Sequence, residues 1–158
     1  MIKSVGIDIF SRNRMMFLKN NQHDPFLMKS FTEKERKESS EKGKLTYLTG
    51  RFSAKEAVYK CIGGLIYLDF KPGEIEIINN DKGMPIVTLY GETLNAAKSL
   101  GNYNIHVSIS YESDTAISFA ILELRLKSFV TGLIYQYPIF LTMICSEGLN
   151  RKSSKYFN

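Results

Sequence analysis

The segment Gly50-Arg51-Phe52-Ser53-Ala54-Lys55-Glu56-Ala57-Val58-Tyr59-Lys60 constrains the fold more than any other part of this chain. Its pattern predicts a long helix from about Leu45 to Ile62. Ala54, Ala57, Val58, Cys61 and Ile62 recur at helical spacing and make a stripe that must face a core. Thr49, Ser53, Glu56 and Lys60 form a second, polar stripe bordered by Leu45, Leu48 and Phe52, so part of it lies near packed structure. Glu56 and Lys60 stand four residues apart. On an open surface such a pair adds about 0.2–0.5 kcal/mol of helix stability. Beside apolar neighbours, the same carboxylate and ammonium can hold a metal ion and a phosphate together.

The remaining elements follow in order. Ser4-Val5-Gly6-Ile7-Asp8-Ile9-Phe10 has the alternation of a strand, and Asp8 is an unusual residue to find in one. A carboxylate there points to a metal, a basic partner or a strand end. Ser11 suits an N-cap for a helix through Arg12, Arg14, Met15, Met16, Leu18 and Lys19, in which cationic and apolar residues mix. Asn20 to Pro25 is a loop. Thr32 and Glu35 make a capping box, which opens a charged helix to about Lys42. Gly63-Gly64 closes the central helix. It is no phosphate cradle by itself, because a helix C-terminus is the negative end of the dipole. Glu74–Asn79 and Pro85–Tyr90 are two strands joined by the turn Asn80-Asp81-Lys82-Gly83. A short helix from Glu92 to about Leu100 ends at Gly101. In Asn104–Tyr111, Ile105, Val107 and Ile109 face one way and His106, Ser108 and Ser110 the other. A turn at Ser113-Asp114-Thr115 leads to a last apolar strand, Ala116–Leu124. This order argues for an α+β fold, with helices packed on a mainly antiparallel sheet.

A chain of 158 residues, 44% apolar and 23% charged, is expected to make one soluble core. The two cysteines, Cys61 and Cys145, supply neither a disulfide framework nor a metal-ligand spacing. Cys61 falls on the apolar stripe as a buried free thiol, which fits a reducing compartment. The formal charge of +5 favours acidic partners, but no long basic run selects among nucleic acid, membrane, phosphorylated ligand and acidic protein. Met1 leads almost at once into strand-like sequence, so no signal peptide is expected in this stretch; removal of a targeting segment from a longer precursor stays open. Phe129 to Cys145 is uncharged but interrupted by Gly132 and Pro138 and short for a membrane span. A buried extension, an oligomer contact or sequence foreign to the fold are the readings for it.

Four pieces now stand together: Gly6-Ile7-Asp8-Ile9 with Arg14; Phe31-Thr32 with Glu35; Arg51-Phe52-Ser53-Ala54-Lys55-Glu56-Ala57 with Lys60; and His106-Val107-Ser108-Ile109-Ser110. In this order and at these separations, from Ile2 to about Glu123, the chain closely resembles holo-[acyl-carrier-protein] synthase, the small type of 4′-phosphopantetheinyl transferase. The Arg51–Lys60 motif is its most specific part. The usual Gly-Lys-Pro after the middle strands appears here as Gly83-Met84-Pro85. The resemblance ends near Leu124, so 1–125 is expected to be the transferase domain and 126–158 a C-terminal extension.

The resemblance implies transfer of phosphopantetheine from coenzyme A to a serine of apo acyl carrier protein, releasing 3′,5′-ADP, in fatty acid biosynthesis. It implies Mg2+ held by Asp8 and Glu56, in keeping with that ion's preference for few carboxylates plus water and phosphate oxygens. Lys60 would reach a phosphate, and Arg51 and His106 are candidates for coenzyme A contacts. A metal-bound water, Glu35 and His106 are all candidate bases. The resemblance further implies a homotrimer with sites at subunit interfaces, in which His106 and Glu56 belong to opposite sides of one site. Arg14 would face the acidic helix of the carrier protein; Arg12 and Lys19 join it on local reasoning. The expected location is the cytoplasm, or a plastid-like organelle if a targeting segment has been removed. Two alternatives stand: a basic nucleic-acid-binding α+β module, which leaves Asp8 and Glu56 unexplained, and a coenzyme A-binding relative that no longer transfers.

Overall fold

A computed structural model describes residues 1–18, 23–41 and 43–125, and Met1–Arg125 forms one compact unit. Lys19, Cys145 and the Phe129–Cys145 stretch lie outside the described residues.

Strand β1 (Ile2–Ser11) is followed by a 3-10 helix (Arg12–Leu18), α1 (Pro25–Ser30), α2 (Glu33–Glu41) and the long α3 (Lys44–Gly63). A hairpin of β2 (Ile75–Asn79) and β3 (Pro85–Leu89), then α4 (Gly91–Ser99), β4 (Tyr103–Glu112) and β5 (Thr115–Leu124) complete it. The three-stranded sheet has the order β1-β5-β4 and is antiparallel throughout; β2 and β3 pair separately. The fold is therefore α+β with helices on antiparallel sheets, as expected from the element order.

Helix α3 lies across β1 and β5. The contact is close enough that a Cβ at Gly6 would collide with the Ala57 carbonyl. One core gathers the predicted stripe Ala54, Ala57, Val58, Cys61 and Ile62 against Ile75, Ile77, Ala120 and Leu122. A second, aromatic core places the Phe52 ring 4.8 Å from Phe10 and 5.3 Å from Phe26. It anchors the 3-10 helix through Met15 and Leu18.

Several local readings hold for local reasons. Thr32 and Glu35 cap α2 reciprocally: Glu35 N donates to Thr32 Oγ1 (3.4 Å), and Thr32 N donates to Glu35 Oε2 (2.9 Å). In the hairpin turn, Asn80 Oδ1 accepts from Lys82 N and Met84 N, and Gly83 takes the positive φ of 79°. Others change. The segment after Ser11 is a 3-10 helix, and Ser11 itself ends β1, its Oγ accepting from Asn13 N at 3.3 Å. Gly64 closes α3 with right-handed φ and ψ, not as a left-handed cap. Helix α1 was not foreseen, although Asp24 accepts from Phe26 N (2.8 Å) and Pro25 stands in its first turn. Along β1 the alternation is as read, and the buried side is the one carrying Gly6, Asp8 and Phe10. Val5, Ile7 and Ile9 are more than half exposed.

Candidate active site

Asp8 projects from β1 towards α3, because Gly6 lets the two backbones meet. Lys60 Nζ donates to Asp8 Oδ1 (2.9 Å) and to the Ile7 carbonyl (3.0 Å). Ser53, one side of α3 further in, donates to the Asp8 carbonyl (3.1 Å). The polar stripe thus runs from the interior to solvent: Thr49 and Ser53 are buried, Glu56 is half-buried and Lys60 is exposed.

Glu56 stands beside Asp8. Burial first, and then the negative charge of Asp8, push its carboxyl above the ordinary range, while Lys60 and Arg14 pull it back. Arg14 is therefore part of the same field, and its guanidinium lies 4.3 Å over the Phe10 ring. Asp8 Oδ2 is buried and has no hydrogen-bond partner among the described residues. Two adjoining carboxylates, one with an unused buried oxygen, form a site that a cation would relieve of both repulsion and desolvation cost. The described residues hold no group of three or more His, Cys, Asp or Glu side chains able to grip a metal by themselves. Such a pair leaves most of a coordination shell to water and to a substrate's oxygens, which suits Mg2+.

The remaining predicted residues lie elsewhere on the chain. Arg51 is roughly 140° round α3 from Glu56 by helical geometry. It is buried, donates to Asn79 Oδ1 (2.6 Å) and stacks 4.4 Å from the Tyr47 ring. It lines a cleft of about 280 Å3 with Thr46, Asn79, Gly83, Pro85 and Tyr111. His106 is on the sheet face away from α3, 3.5 Å from the Glu123 carboxylate. Arg12 is tied to the β4–β5 turn through the Asp114 carboxylate and carbonyl.

Glu35 belongs to the scaffold. It is fully buried, and its oxygens accept from Thr32 N, Ile77 N (3.0 Å) and Lys55 Nζ (2.8 Å). Lys55, also fully buried, donates further to the carbonyls of Pro72 (2.9 Å) and Ile75. Burial pushes the Lys55 ammonium below its ordinary range, and Glu35 opposes that. The sequence reading missed this pair, along with Asn79 and Tyr47 beside Arg51. Helical spacing gives no signal for Glu35 with Lys55 or Asn79 with Arg51, which lie 20 and 28 residues apart, whereas Tyr47 and Arg51 stand four apart on α3 and that spacing could have paired them.

The family model for the 4′-phosphopantetheinyl transferase superfamily matches residues 4–120. A holo-[acyl-carrier-protein] synthase of Clostridium acetobutylicum is 42% identical over 127 residues, covering 78% of this chain and 98% of that protein. The crystal structure of the Neisseria meningitidis synthase superposes with a TM-score of 0.66 at 31% identity, covering 78% of this chain and 99% of that one. The Bacillus anthracis synthase, solved in complex with CoA (3′,5′-ADP), superposes with a TM-score of 0.60 at 33% identity, covering 79% and 99%. With these likenesses spanning nearly the full length of each relative, this chain belongs to the holo-[acyl-carrier-protein] synthases of the 4′-phosphopantetheinyl transferase superfamily.

Proposed function

We propose that this protein moves the 4′-phosphopantetheine group of coenzyme A onto a serine of apo acyl carrier protein, with Mg2+, releasing 3′,5′-ADP and serving fatty acid biosynthesis. The observation that carries the reading is the meeting of Asp8 and Glu56 across β1 and α3, with Asp8 Oδ2 left without a donor. Asp8 and Glu56 fit Mg2+ as its two protein ligands, and when bound the ion would neutralise charge at the attacked phosphorus. Lys60 keeps half of its side chain in solvent, so its ammonium can turn from Asp8 to a phosphate oxygen. Arg51 and the cleft it lines support a role in holding coenzyme A by its anionic end, between the rings of Tyr47 and Tyr111.

Arg14 belongs to the docking surface of the carrier protein. Exposed Met16 and Phe17 lie close to it in the chain and add apolar area to its charge. Arg12 and Lys19 complete that surface in this reading; Arg12 shares its charge with Asp114, so Arg14 carries more of the attraction. The outer face of the three-stranded sheet presents Val5, Ile7, Ile9, Ile117 and Phe119 to solvent. An apolar face of this kind supports assembly with further copies of the chain, as a homotrimer. His106 sits on that face, where it would reach coenzyme A bound at the Asp8–Glu56 pair of the partner subunit. Because the oxygens of Glu35 are taken by three donors, His106 is the better-placed side chain to accept the serine's proton.

Residues 1–125 make up the transferase domain and 126–158 an extension of it. No helix among the described residues is long and apolar enough to cross a membrane. The enzyme works in the cytoplasm, or in a plastid-like organelle after removal of a targeting segment. The test is the intact mass of apo acyl carrier protein after incubation with coenzyme A and MgCl2. A gain of one phosphopantetheine is expected; an unchanged mass overturns the proposal and favours a binding-only relative.

A further inference from the structure

Ser118 of β5 stands directly opposite Asp8 of β1. In an antiparallel pair, facing residues point to the same side of the sheet, with Cβ atoms about 4.5–5.5 Å apart. That side is the one beneath α3. Asp8 is 8% exposed and Ser118 0%, while Ile7, Ile9, Ile117 and Phe119 flanking them face outward. Each residue of this facing pair holds a buried oxygen without a hydrogen-bond partner among the described residues, Asp8 Oδ2 and Ser118 Oγ. Buried hydroxyls in native proteins nearly always find a partner, and one that does not is destabilising. Ala116 and Ala120, the neighbours of Ser118 on the same face, are both fully buried. A methyl group therefore suits this layer, and packing alone does not account for a serine.

We propose that Ser118 is a positioning residue for the Asp8–Glu56 pair, its hydroxyl donating to the Asp8 carboxylate when a cation is held there. The inference rests on the reading of Asp8 and Glu56 as the ligands of that cation. An ionised carboxylate offers about four acceptor sites. Lys60 occupies one, on Oδ1. A donor on Oδ2 fixes the plane of the group and leaves the remaining lone pairs to the cation. Without Ser118 the carboxylate is steadied only by an ammonium that is half in solvent and that a substrate phosphate draws away. Donors to metal-ligating groups typically change metal affinity ten- to a hundredfold, roughly.

The experiment is a Mg2+ titration of the full-length protein and its Ser118→Ala and Ser118→Cys variants, with coenzyme A present. It is read both as transfer rate and as melting temperature. In both variants the Mg2+ midpoint is expected to rise about tenfold or more by both readouts. The rate at saturating Mg2+ should match wild type, and the melting temperature without metal should equal or exceed it. Cysteine keeps the volume but is a weak donor, so it should follow alanine. Equal midpoints in wild type and the alanine variant overturn the inference while leaving the function intact. A cysteine variant that behaves as wild type assigns the effect to volume and overturns it as well. Failure of both variants to fold makes Ser118 a scaffold residue, with the same result. A wild type indifferent to Mg2+ in both readouts removes the ligand assignment itself, and this inference with it.

Discussion

Glu56 owes its chemistry to where it is held. Burial and the charge of Asp8 both raise its carboxyl, so the protein stores a repulsion that a cation relieves. Replacing either residue, by Asp8→Ala or Glu56→Ala, is expected to lower transfer by about 10²–10³, the scale of losing one well-placed electrostatic contact. Thermal stability should hold or rise in Glu56→Ala, since one member of a repelling pair is gone, and stay near wild type in Asp8→Ala, which loses the Lys60 contact along with the repulsion. Near-normal turnover of both variants at limiting Mg2+ sinks the assignment. Glu76 shows the opposite arrangement. Burial pushes it up, but hydrogen bonds from Thr32 (2.8 Å), Tyr90 (3.0 Å) and Lys34 (3.3 Å) together hold it below its ordinary value. A depressed folded-state value means that the unfolded chain binds the proton more readily. The stability that Glu76 contributes is therefore present above about pH 4.5 and lost as pH falls through the folded-state value. The difference in urea midpoint between wild type and Glu76→Gln should shrink steadily below about pH 4.5. A difference that does not change with pH would assign the effect to shape instead of charge.

At the scale of elements, α3 is the part that both cores and both candidate regions share. Its hold on the β2–β3 side runs through Lys55, whose three donors end on Glu35, Pro72 and Ile75. A buried pair of this kind is a poor source of net stability, yet breaking it from one side leaves a charge with too few partners. Lys55→Met is accordingly expected to cost about 3–5 kcal/mol in chemical denaturation. The double change Lys55→Met with Glu35→Gln should recover part of that loss, because the carboxylate charge goes too. A single variant as stable as wild type would show that the pair contributes nothing beyond packing. The same helix carries Arg51 and Glu56 on different sides. Loosening α3 should therefore disturb coenzyme A binding and turnover together.

For the whole molecule the telling surface is the outer sheet face. Ile7 is 57% exposed and Ile9 62% within one subunit, so neither holds the monomer fold together. Ile7→Glu should leave circular dichroism unchanged while dissociating the proposed homotrimer. Transfer should fall in parallel, because His106 lies on the same face and Asp8 on the opposite one. Sedimentation velocity of wild type and variant checks this; a fully active wild-type monomer removes the shared-site scheme. Truncation after Arg125 bears on the extension. The compact unit Met1–Arg125 already contains β5, the middle strand of the sheet, so the truncated enzyme is expected to keep most of its transfer activity. Loss of folding on truncation would place part of 126–158 in the core.

What the sequence determined by itself was governed by short-range physics. Helical periodicity placed α3 from Lys44 to Gly63, within one residue of the expected ends. The Thr32–Glu35 box and the Asn80–Gly83 turn are set by hydrogen bonds a few residues long, so they too were legible. Period-two alternation divided β1 and β4 correctly into faces. Only the tertiary structure decided which face of β1 is covered. Gly6 admits the α3 backbone on one side, and the larger Val5, Ile7 and Ile9 stay outside. The meeting of Asp8 with Glu56, and of Lys55 with Glu35, likewise needed the packed fold. No periodicity couples groups separated by 48 or 20 residues, and the repulsion within the first pair and the attraction within the second become strong only once packing has removed the water between them.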